Sequence, residues 1–343
     1  MSNWKELKDN PRLNQIYRDR VAIIRAVREF FWSKDFLETD TPMAVKYAGQ
    51  EPFLNPVPLT IHDPNGKSEN FHLVTSPEFS LKKLLAVGFE KIFSITKCFR
   101  DYESFGGTHN TEFTMIEWYR APGTLTQIMD DTEALFKAVG KKLGHTSVEY
   151  NNVTVEITET WERKTMKQLW QEYVGVNLDE YLEIVPLKQL VLGKKLAVDT
   201  SGEYEDLFFK IFLNFIEPRL GFEKPLFVYD YPKRLSSLSR ACAHDARYAE
   251  RFELYIAGLE IANAFGELTD ATEQQARLEA DQALRAKLGR PTWPVDPSFI
   301  AALRSGMPEA GGIALGVDRM VLLFTGAKDI NEVIFQSISD QLA

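Results

Sequence analysis

Residues 311–324, GGIALGVDRMVLLF, contain the pattern that decides the fold. Three glycines surround a short apolar run, and Ala314 interrupts what would otherwise be a regular spacing of residues without side chains. Residues 313–315 predict a strand packed between small residues, and residues 317–324 predict a helix that ends at Gly326, because glycine readily adopts the left-handed conformation that closes a helix. The stretch is therefore predicted to be a strand that leads directly into a helix.

An adjacent acid and base, Asp318 and Arg319, stand in the middle of this apolar stretch. Arg319 falls in the first turn of the predicted helix, where the helix dipole disfavours a cation. An arginine at that place needs an anion, either Asp318 or a phosphate group. The alternative is that Asp318 caps the helix N-terminus and Arg319 lies on the surface.

Upstream, residues 252–270, FELYIAGLEIANAFGELTD, carry glutamates in strand-like surroundings. Glu260 and Glu267 are seven residues apart, so a regular strand would place them on opposite faces. The small residues between 262 and 266 could host a β-bulge that turns both carboxylates inward. Two inward carboxylates would suit a Mg²⁺ ion carried by a nucleotide, or the ammonium group of a substrate. The alternative is a solvent-facing alternation of charges on an edge strand.

A third polar block, residues 97–120, reads KCFRDYESFGGTHNTEFTMIEWYR and predicts two strands joined by a polar, glycine-bearing loop. Arg100 ends the first strand, and its planar guanidinium group is suited to bind phosphate. His109 and Asn110 close the loop, which could fold over a nucleotide. The alternative is a hairpin with a solvated polar tip.

The remaining periodicities predict strands in three blocks with helices between and around them. Apolar spacings of three and four predict a long amphipathic helix over residues 12–33, followed by an extended segment that Pro42 closes. Without a regular βαβ alternation, the expected fold class is α+β, an antiparallel sheet flanked by helices. Further elements predicted are a hairpin around residues 63–66, a helix over 125–143, a short hairpin that turns at Asn151 and Asn152, a mainly helical region over 160–220, a strand at 226–232 and a helix over 271–288.

Composition argues against several classes of protein. With a net charge of −9 and a pI of about 5.3, the chain lacks the broad basic surface typical of nucleic-acid binding, although a small basic pocket is compatible with it. No apolar run approaches the ~20 residues of a membrane span, and the N-terminus has no apolar signal region. Cys98 and Cys242 are expected to be reduced thiols in a cytoplasmic protein. The five histidines lack zinc-binding spacing.

Together these blocks resemble the three signature motifs of class II aminoacyl-tRNA synthetases, in the same order. The helix ending in FLETDTP is similar to motif 1, the block at 97–120 to motif 2 and GGIALGVDR to motif 3. TSPEFSLKKLL (75–85) and GLEIANAFGELTD (258–270) are closer still to the lysyl branch. The resemblance spans essentially the whole chain, 1–343, and implies a single catalytic domain with the 146–220 region inserted between motifs 2 and 3. Only about a dozen residues precede the motif 1 helix, so no anticodon-binding domain is expected.

The segments FVYDYP, YAERFELY and ELTDATEQQ resemble most the stand-alone paralogues of that branch, the elongation factor P (R)-β-lysine ligase family. This resemblance implies ATP-dependent, AMP-forming activation of (R)-β-lysine or lysine to an aminoacyl-adenylate, with Mg²⁺. It also implies transfer to the ε-amine of a lysine on elongation factor P, and a homodimer formed through motif 1. The alternatives are a truncated lysyl-tRNA synthetase that charges tRNA, which the acidic surface and the missing domain argue against, and a non-catalytic, amino-acid-binding regulatory subunit.

The resemblance assigns roles to individual residues of the nucleotide site. It implies that Arg100 holds the α-phosphate of ATP and that Arg319 holds the γ-phosphate, which makes these arginines the catalytic residues. Phe113 would stack on adenine, and Asn110 would contact the nucleotide. The other ATP-binding residues implied are Asp101, Tyr102, Glu103, His109, Glu260, Ile261 and Gly316.

The amino-acid pocket implied by the resemblance, with carboxylates that face the ammonium groups of a diamino acid, comprises Ser76, Pro77, Glu78, Tyr119, Glu267 and Ala314. Glu260 and Glu267 are also implied as Mg²⁺ ligands. The motif 2 loop is one residue longer than usual, which leaves open whether Tyr102 or Glu103 lies against the nucleotide. Ala314 stands where tRNA-charging lysyl enzymes have glycine, and its methyl group would displace an α-amino group. A β-amino acid carries that ammonium one carbon further along, so Ala314 is expected to determine specificity.

Overall fold

A mixed sheet of eight strands runs through the computed structural model, which describes residues 3–198 and 202–342. With strands numbered in chain order, their spatial order is β1 (Leu37–Glu38), β5 (Lys91–Phe99), β6 (Glu112–Arg120), β13 (Gly311–Gly316), β12 (Leu259–Gly266), β11 (Tyr248–Ile256), β10 (Leu226–Pro232) and β9 (Glu162–Thr165). A smaller sheet contains β2 (Ala44–Val45), β4 (Ser68–Leu73) and β3 (Pro58–His62). The strands β7 (Ser147–Tyr150) and β8 (Val153–Glu156) form a separate hairpin.

The pairing within the large sheet confirms the α+β class predicted from the sequence. Its six central strands pair antiparallel, and the two edge strands pair parallel to their neighbours. The hairpin predicted around residues 63–66 and the strand pair that flanks the polar loop are both present. The sequence does not predict the edge strand β9, because its residues ERKT are polar and carry no apolar alternation.

Helices cover the sheet and connect its strands. They are α1 (Asn3–Asp9), α2 (Pro11–Ser33), α3 (Glu78–Ala86), α4 (Leu125–Leu143), α5 (Met166–Leu169), α6 (Ile184–Gly193), α7 (Tyr204–Ile211), α8 (Ala271–Lys287), α9 (Pro297–Arg304), α10 (Val317–Thr325) and α11 (Ile338–Leu342). The helices predicted over 12–33, 125–143 and 271–288 are confirmed to within a residue. In the described part of the chain, no helix combines the length and the apolar character that crossing a bilayer requires.

Helix α2 forms for reasons that are visible in its sequence. The side chain of Asn10 caps the N-terminus by accepting hydrogen bonds from two backbone N–H groups of the first turn. Pro11 takes the first helical position, where its missing N–H costs no hydrogen bond. One stripe of the helix is buried in the main hydrophobic core and consists of Ile16, Ile23, Ala26, Val27, Phe30 and Phe31.

The stretch between residues 166 and 219 contains α5, α6, α7 and short π- and 3₁₀-helical segments around its own hydrophobic cluster. Trp170, Phe208 and Phe212 are almost completely buried within that cluster. The same cluster includes Leu226 of β10 and Tyr255 of β11. This region therefore packs directly on the large sheet at its β10–β11 end.

Strand β13 and helix α10 are the two elements predicted from residues 311–324, and both are confirmed. The strand pairs antiparallel with β6 on one side and with β12 on the other, so it lies in the middle of the sheet. The helix ends at Gly326, which adopts the left-handed conformation with φ +61°. Its apolar side chains are buried in the main core.

Asp318 does not cap helix α10, so that alternative from the sequence is wrong. The capping position belongs to Gly316, which has no side chain to accept a hydrogen bond. Asp318 is 2% exposed, forms an ion pair with Arg20 of α2, and accepts a hydrogen bond from the backbone N–H of Thr114 at 2.7 Å. Arg20 also donates to the hydroxyl of Thr114 at 2.8 Å. The carboxylate thereby joins α2, β6 and α10, and Arg319 pairs elsewhere.

Replacing Arg20 by methionine is expected to lower the free energy of unfolding by about 3–5 kcal/mol, because it leaves the Asp318 carboxylate buried without its cation. The control is Arg25→Ala in the same helix, whose pair with Glu29 lies in solvent and should contribute little. Urea unfolding followed by tryptophan fluorescence measures both variants. Equal midpoints for the two would contradict the role given to Arg20.

Candidate active site

Two adjoining cavities open on one face of the large sheet, where β6, β13 and β12 lie side by side. The first, called here the arginine cavity, has a volume of about 330 Å³ and contains Arg100 and Arg319. The second, the carboxylate cavity, has a volume of about 390 Å³ and contains Glu78, Glu117 and Glu267. Both cavities are lined by Leu54, Arg100, Met115, Asn263 and Ala314.

The strand register creates this face from small residues in the centre and larger ones at the sides. Every second residue of β13, from Gly312 to Gly316, lies beside every second residue of β6, from Tyr119 to Met115. Because side chains alternate along a strand, these residues point to the same side of the sheet. The two glycines and the alanine of β13 therefore leave open space between the side chains of the neighbouring strands.

A β-bulge in β12 brings Glu260 to this face. Residues 254 and 255 of β11 pair with residues 262 and 260 of β12, so Ile261 is an extra residue in the ladder. The extra residue reverses the alternation and places Glu260 on the side of Asn263 and Phe265. The predicted bulge is confirmed, although it lies at Ile261 and not among residues 262–266. The edge-strand alternative is wrong, because β12 lies between β11 and β13.

Arg319 extends into the arginine cavity and is held there by neutral acceptors. Its guanidinium donates to the backbone carbonyl of Glu260 at 2.7 Å and contacts Nε2 of His109 at 2.9 Å. Partial burial and the nearby charge of Arg319 lower the pKa of His109, which favours the neutral ring that can accept that hydrogen bond. The Glu260 carboxylate lies 3.8 Å away, beyond hydrogen-bonding distance. The positive charge of Arg319 thus remains available to an anion.

Arg100 stands where the two cavities meet. Its guanidinium lies over the ring of Phe113 at 5.0 Å, and its buried Nε has no hydrogen-bond partner in the protein. The buried Oδ1 of Asn110 also lacks a partner, while its amide donates to a backbone carbonyl at 2.7 Å. Buried polar atoms are nearly always satisfied, so these two atoms are available to a water molecule or a polar ligand group.

The polar loop of residues 101–109 contributes fewer contacts than the resemblance implied. Glu103 and His109 line the arginine cavity, but Asp101 and Tyr102 do not. Tyr102 adopts φ +61° and is 88% exposed, because this left-handed residue turns the chain so that the side chain points into solvent. Between Tyr102 and Glu103, the structure therefore brings only Glu103 to the cavity. The backbone N–H of Gly107 donates a hydrogen bond to the Asp329 carboxylate at 2.7 Å, which anchors the loop.

Glu117 is a site residue that the sequence analysis missed. It is 1% exposed and accepts hydrogen bonds from Ser76 Oγ at 2.5 Å and from the Tyr119 hydroxyl at 3.0 Å. Burial, with the added charge of Glu78, raises the pKa of Glu117 to about 8. A signal was present in the sequence, because Glu117 is two residues from Tyr119 on the same strand and therefore shares its face.

Glu267 and Tyr119 approach each other over Gly312. A Cβ atom on Gly312 would lie 2.2 Å from the Tyr119 ring and 2.4 Å from Glu267 Oε1, so only glycine fits. Glu267 is buried, its Oε1 has no hydrogen-bond partner, and burial raises its pKa to about 7 although Lys82 opposes the rise. An unpaired buried carboxylate oxygen suits a cationic ligand group. Ser76, Glu78 and Ala314 line the same cavity, as implied.

The remaining residues that the resemblance implied do not lie together in one site. Glu260 lies in the arginine cavity and Glu267 in the carboxylate cavity, where Lys82 contacts it at 2.5 Å. Pro77 precedes helix α3 and lines neither cavity. Among the described residues, Asp230, Cys242 and His244 form the one group with ligand atoms close enough to share a metal ion, within 4.8 Å of one another. This group lies outside both cavities.

The comparison with known proteins agrees with this architecture. The chain matches the model of the class II tRNA synthetases (D, K and N) over residues 2–337, and it belongs to that family. Two curated relatives, each described as an elongation factor P--(R)-beta-lysine ligase, come from Histophilus somni strains 2336 and 129Pt. Each is 35% identical to this chain over 319 residues, which cover 92% of this chain and 92% of the relative.

The raised pKa of Glu117 should make stability depend on pH. Its pKa is about 8 in the folded chain against an ordinary value of 4.5, so the folded state holds this proton more tightly than the unfolded state. The resulting stabilisation is complete below the unfolded value and is lost as pH rises through about 8. We expect the Tm of the wild type, relative to Glu117→Gln, to fall between about pH 4.5 and 8. Calorimetry without ligands checks this, and a constant difference would contradict it.

Proposed function

We propose that this protein is an AMP-forming ligase that activates (R)-β-lysine, or lysine, with ATP and transfers it to the ε-amine of a lysine on elongation factor P. The observation that carries the proposal is the junction of the two cavities, one with arginines for phosphates and one with carboxylates for ammonium groups. The two relatives described as elongation factor P--(R)-beta-lysine ligases, which align over nearly the whole chain, support the choice of substrates.

The first half-reaction follows from where the charges lie. Glu117 and Glu267 would bind the two ammonium groups of the amino acid, which leaves its carboxylate directed toward Arg100 at the junction. Arg100 would hold the α-phosphate of ATP and Arg319 the γ-phosphate, with adenine against Phe113 and Asn110. The carboxylate oxygen attacks the α-phosphorus, pyrophosphate leaves, and an aminoacyl-adenylate forms. The arginines offset the charge that grows in the transition state, and no protein nucleophile is needed.

Mg²⁺ fits the arginine cavity through Glu260. Its side chain is 41% exposed toward the cavity and lies beside Arg319, where a carboxylate oxygen suits a hard cation. An ion bound there would neutralise charge on the phosphates of ATP. In this proposal Glu267 is a substrate ligand and does not bind Mg²⁺, because it lies in the other cavity and pairs with Lys82.

In the second half-reaction, the lysine amine of elongation factor P attacks the carbonyl carbon of the adenylate. The bond from that carbon to the AMP oxygen breaks, the nitrogen loses a proton, and an amide remains. The acceptor is a translation factor, so the proposed place of action is the cytoplasm. The chain is one catalytic unit in this proposal, because the hydrophobic cluster of the 166–219 region includes residues of the large sheet.

We further propose a homodimer in which helix α2 of one copy packs on a second copy. The face of α2 that points away from the core carries apolar side chains in solvent, with Val21 56% and Trp32 52% exposed. Leu37 and Met43, in the extended segment that follows, are each 49% exposed. Several large apolar side chains exposed on one helix and the segment after it are compatible with an interface.

ATP–pyrophosphate exchange with (R)-β-lysine, (S)-β-lysine and lysine tests the activation step. Acylation assays run side by side with elongation factor P and with tRNA test the acceptor. We expect exchange with a diamino acid and transfer to elongation factor P. Transfer to tRNA alone would establish the tRNA-charging alternative, and no exchange with any amino acid would establish the regulatory one.

Replacing Arg319 by alanine is expected to slow exchange by about 10²–10³-fold, the effect of losing one preorganised donor to a transition state. The expectation follows from its place in the arginine cavity and its lack of a carboxylate partner within hydrogen-bonding distance. The matched control is Arg304→Ala, whose side chain pairs with Gln275 on the surface. Near-normal exchange by the Arg319 variant would refute the phosphate assignment.

Replacing Ala314 by glycine is expected to improve activation of lysine relative to (R)-β-lysine. Ala314 lines both cavities and lies beside Glu117 in the register, so its methyl group occupies the space that an α-ammonium group would need. The ratio of kcat/KM for the two substrates in the exchange assay measures the change. An unchanged ratio would show that Ala314 does not set this preference.

A further inference from the structure

Lys82 is a buried cation behind the carboxylate cavity. Its side chain is 0% exposed, and its Nζ lies 2.5 Å from Glu78 Oε1 and 2.5 Å from Glu267 Oε2. Lysine is rarely buried without paired carboxylates, because removing an ammonium group from water is costly. Lys82 does not itself line the cavity, whereas both of its partners do. It can therefore influence a ligand only through them.

The two contacts join separate parts of the pocket. Glu78 is the first residue of helix α3, and Glu267 follows the end of strand β12. One ammonium group between them holds the two carboxyl groups side by side at the cavity wall. The other oxygen of Glu267, Oε1, is buried and has no hydrogen-bond partner in the protein. Because Lys82 engages Oε2, Oε1 is the oxygen left for a ligand group.

The charges in this group favour one more cation. With both glutamates ionised, the group of Glu78, Glu267 and Lys82 carries −2 + 1 = −1. One ammonium group of a diamino acid would bring it to zero, while the second ammonium faces Glu117. Without Lys82 the two carboxylates would repel each other and would not be held side by side.

Other groups that face Lys82 and its partners do not replace its charge. Burial opposes the charged form of Lys82, but the charges of Glu267 and Glu78 outweigh it and raise its pKa, so Lys82 stays protonated. Tyr119 stays neutral, because burial raises its pKa far above the usual value. Arg240 affects Glu267 only at a distance and forms its own ion pair with Glu250 at 2.7 Å.

We propose that Lys82 is a positioning residue of the amino-acid pocket, which holds Glu78 and Glu267 side by side so that together they bind one ammonium group of the substrate. The inference rests on the proposed function for the identity of that substrate. Lys82 contacts neither the amino acid nor ATP and transfers no proton.

The test is Lys82→Met in the exchange assay, with (R)-β-lysine and lysine as probes. We expect KM for the amino acid to rise roughly 10–100-fold, the range seen when a side chain that supports a binding group is removed from a metal site. KM for ATP should not change. The rise should diminish as pH increases from about 7 to 9, because Lys82 opposes the raised pKa of Glu267, and its loss moves the ionisation of Glu267 to higher pH. The control is Lys83→Met on the same helix, whose partner is Asp296 at 2.6 Å.

A second variant keeps the test decisive if Lys82→Met alone fails to fold. Lys82→Met combined with Glu78→Gln removes one charge of each sign and so keeps the buried charge balanced. If Lys82 acts through Glu78, the double variant should raise KM by less than the product of the two single effects. If the two single effects on KM multiply in the double variant, or if KM for Lys82→Met equals the wild-type value at every pH, the inference about Lys82 is wrong while the proposed function stands. A wild type that exchanges with no diamino acid would overturn the proposed function and this inference with it.

Discussion

The ion pair between Arg20 and Asp318 is the contact on which the site depends. It joins the first long helix, the strand β6 and the helix that follows β13, and the backbone N–H of Thr114 completes it. Because Asp318 is engaged in this buried pair, it cannot neutralise its neighbour in the sequence. Arg319 is consequently held by the Glu260 carbonyl and by His109, and it keeps its charge for an anion.

The same sheet face carries two cavities that differ in charge. The bulge at Ile261 and the glycines of β13 bring Glu260 and Glu267 to that face, yet in different cavities. Acids outnumber arginines most clearly in the carboxylate cavity, Arg319 lies in the arginine cavity, and Arg100 lies between the two. A substrate with ammonium groups and a carboxylate would be oriented by this charge pattern alone, with its carboxylate toward the phosphates.

Burial of several carboxylates is unfavourable for the empty pocket. Burial raises the pKa of Glu117 to about 8 and that of Glu267 to about 7, so both are partly protonated near neutral pH when no cation is bound. Binding a dication would therefore release protons and restore the charged forms. A pocket of this kind discriminates against amino acids that carry a single ammonium group, because an unpaired carboxylate would remain buried.

The sequence by itself determined the long helices and most strands of the central sheet, because periodicity and glycine placement are local properties of the chain. The residue patterns and the family resemblance together pointed to most residues that line the arginine cavity, but to only a minority of those that line the carboxylate cavity. Only the tertiary structure decided which residue pairs with Asp318, since that partner, Arg20, is 298 residues away. It also decided where the bulge lies and that Glu103, and not Tyr102, lines the arginine cavity. It also revealed Glu117 and Lys82. These depend on which distant groups share a buried volume, and the energy of a buried charge is set by those neighbours and not by its place in the sequence.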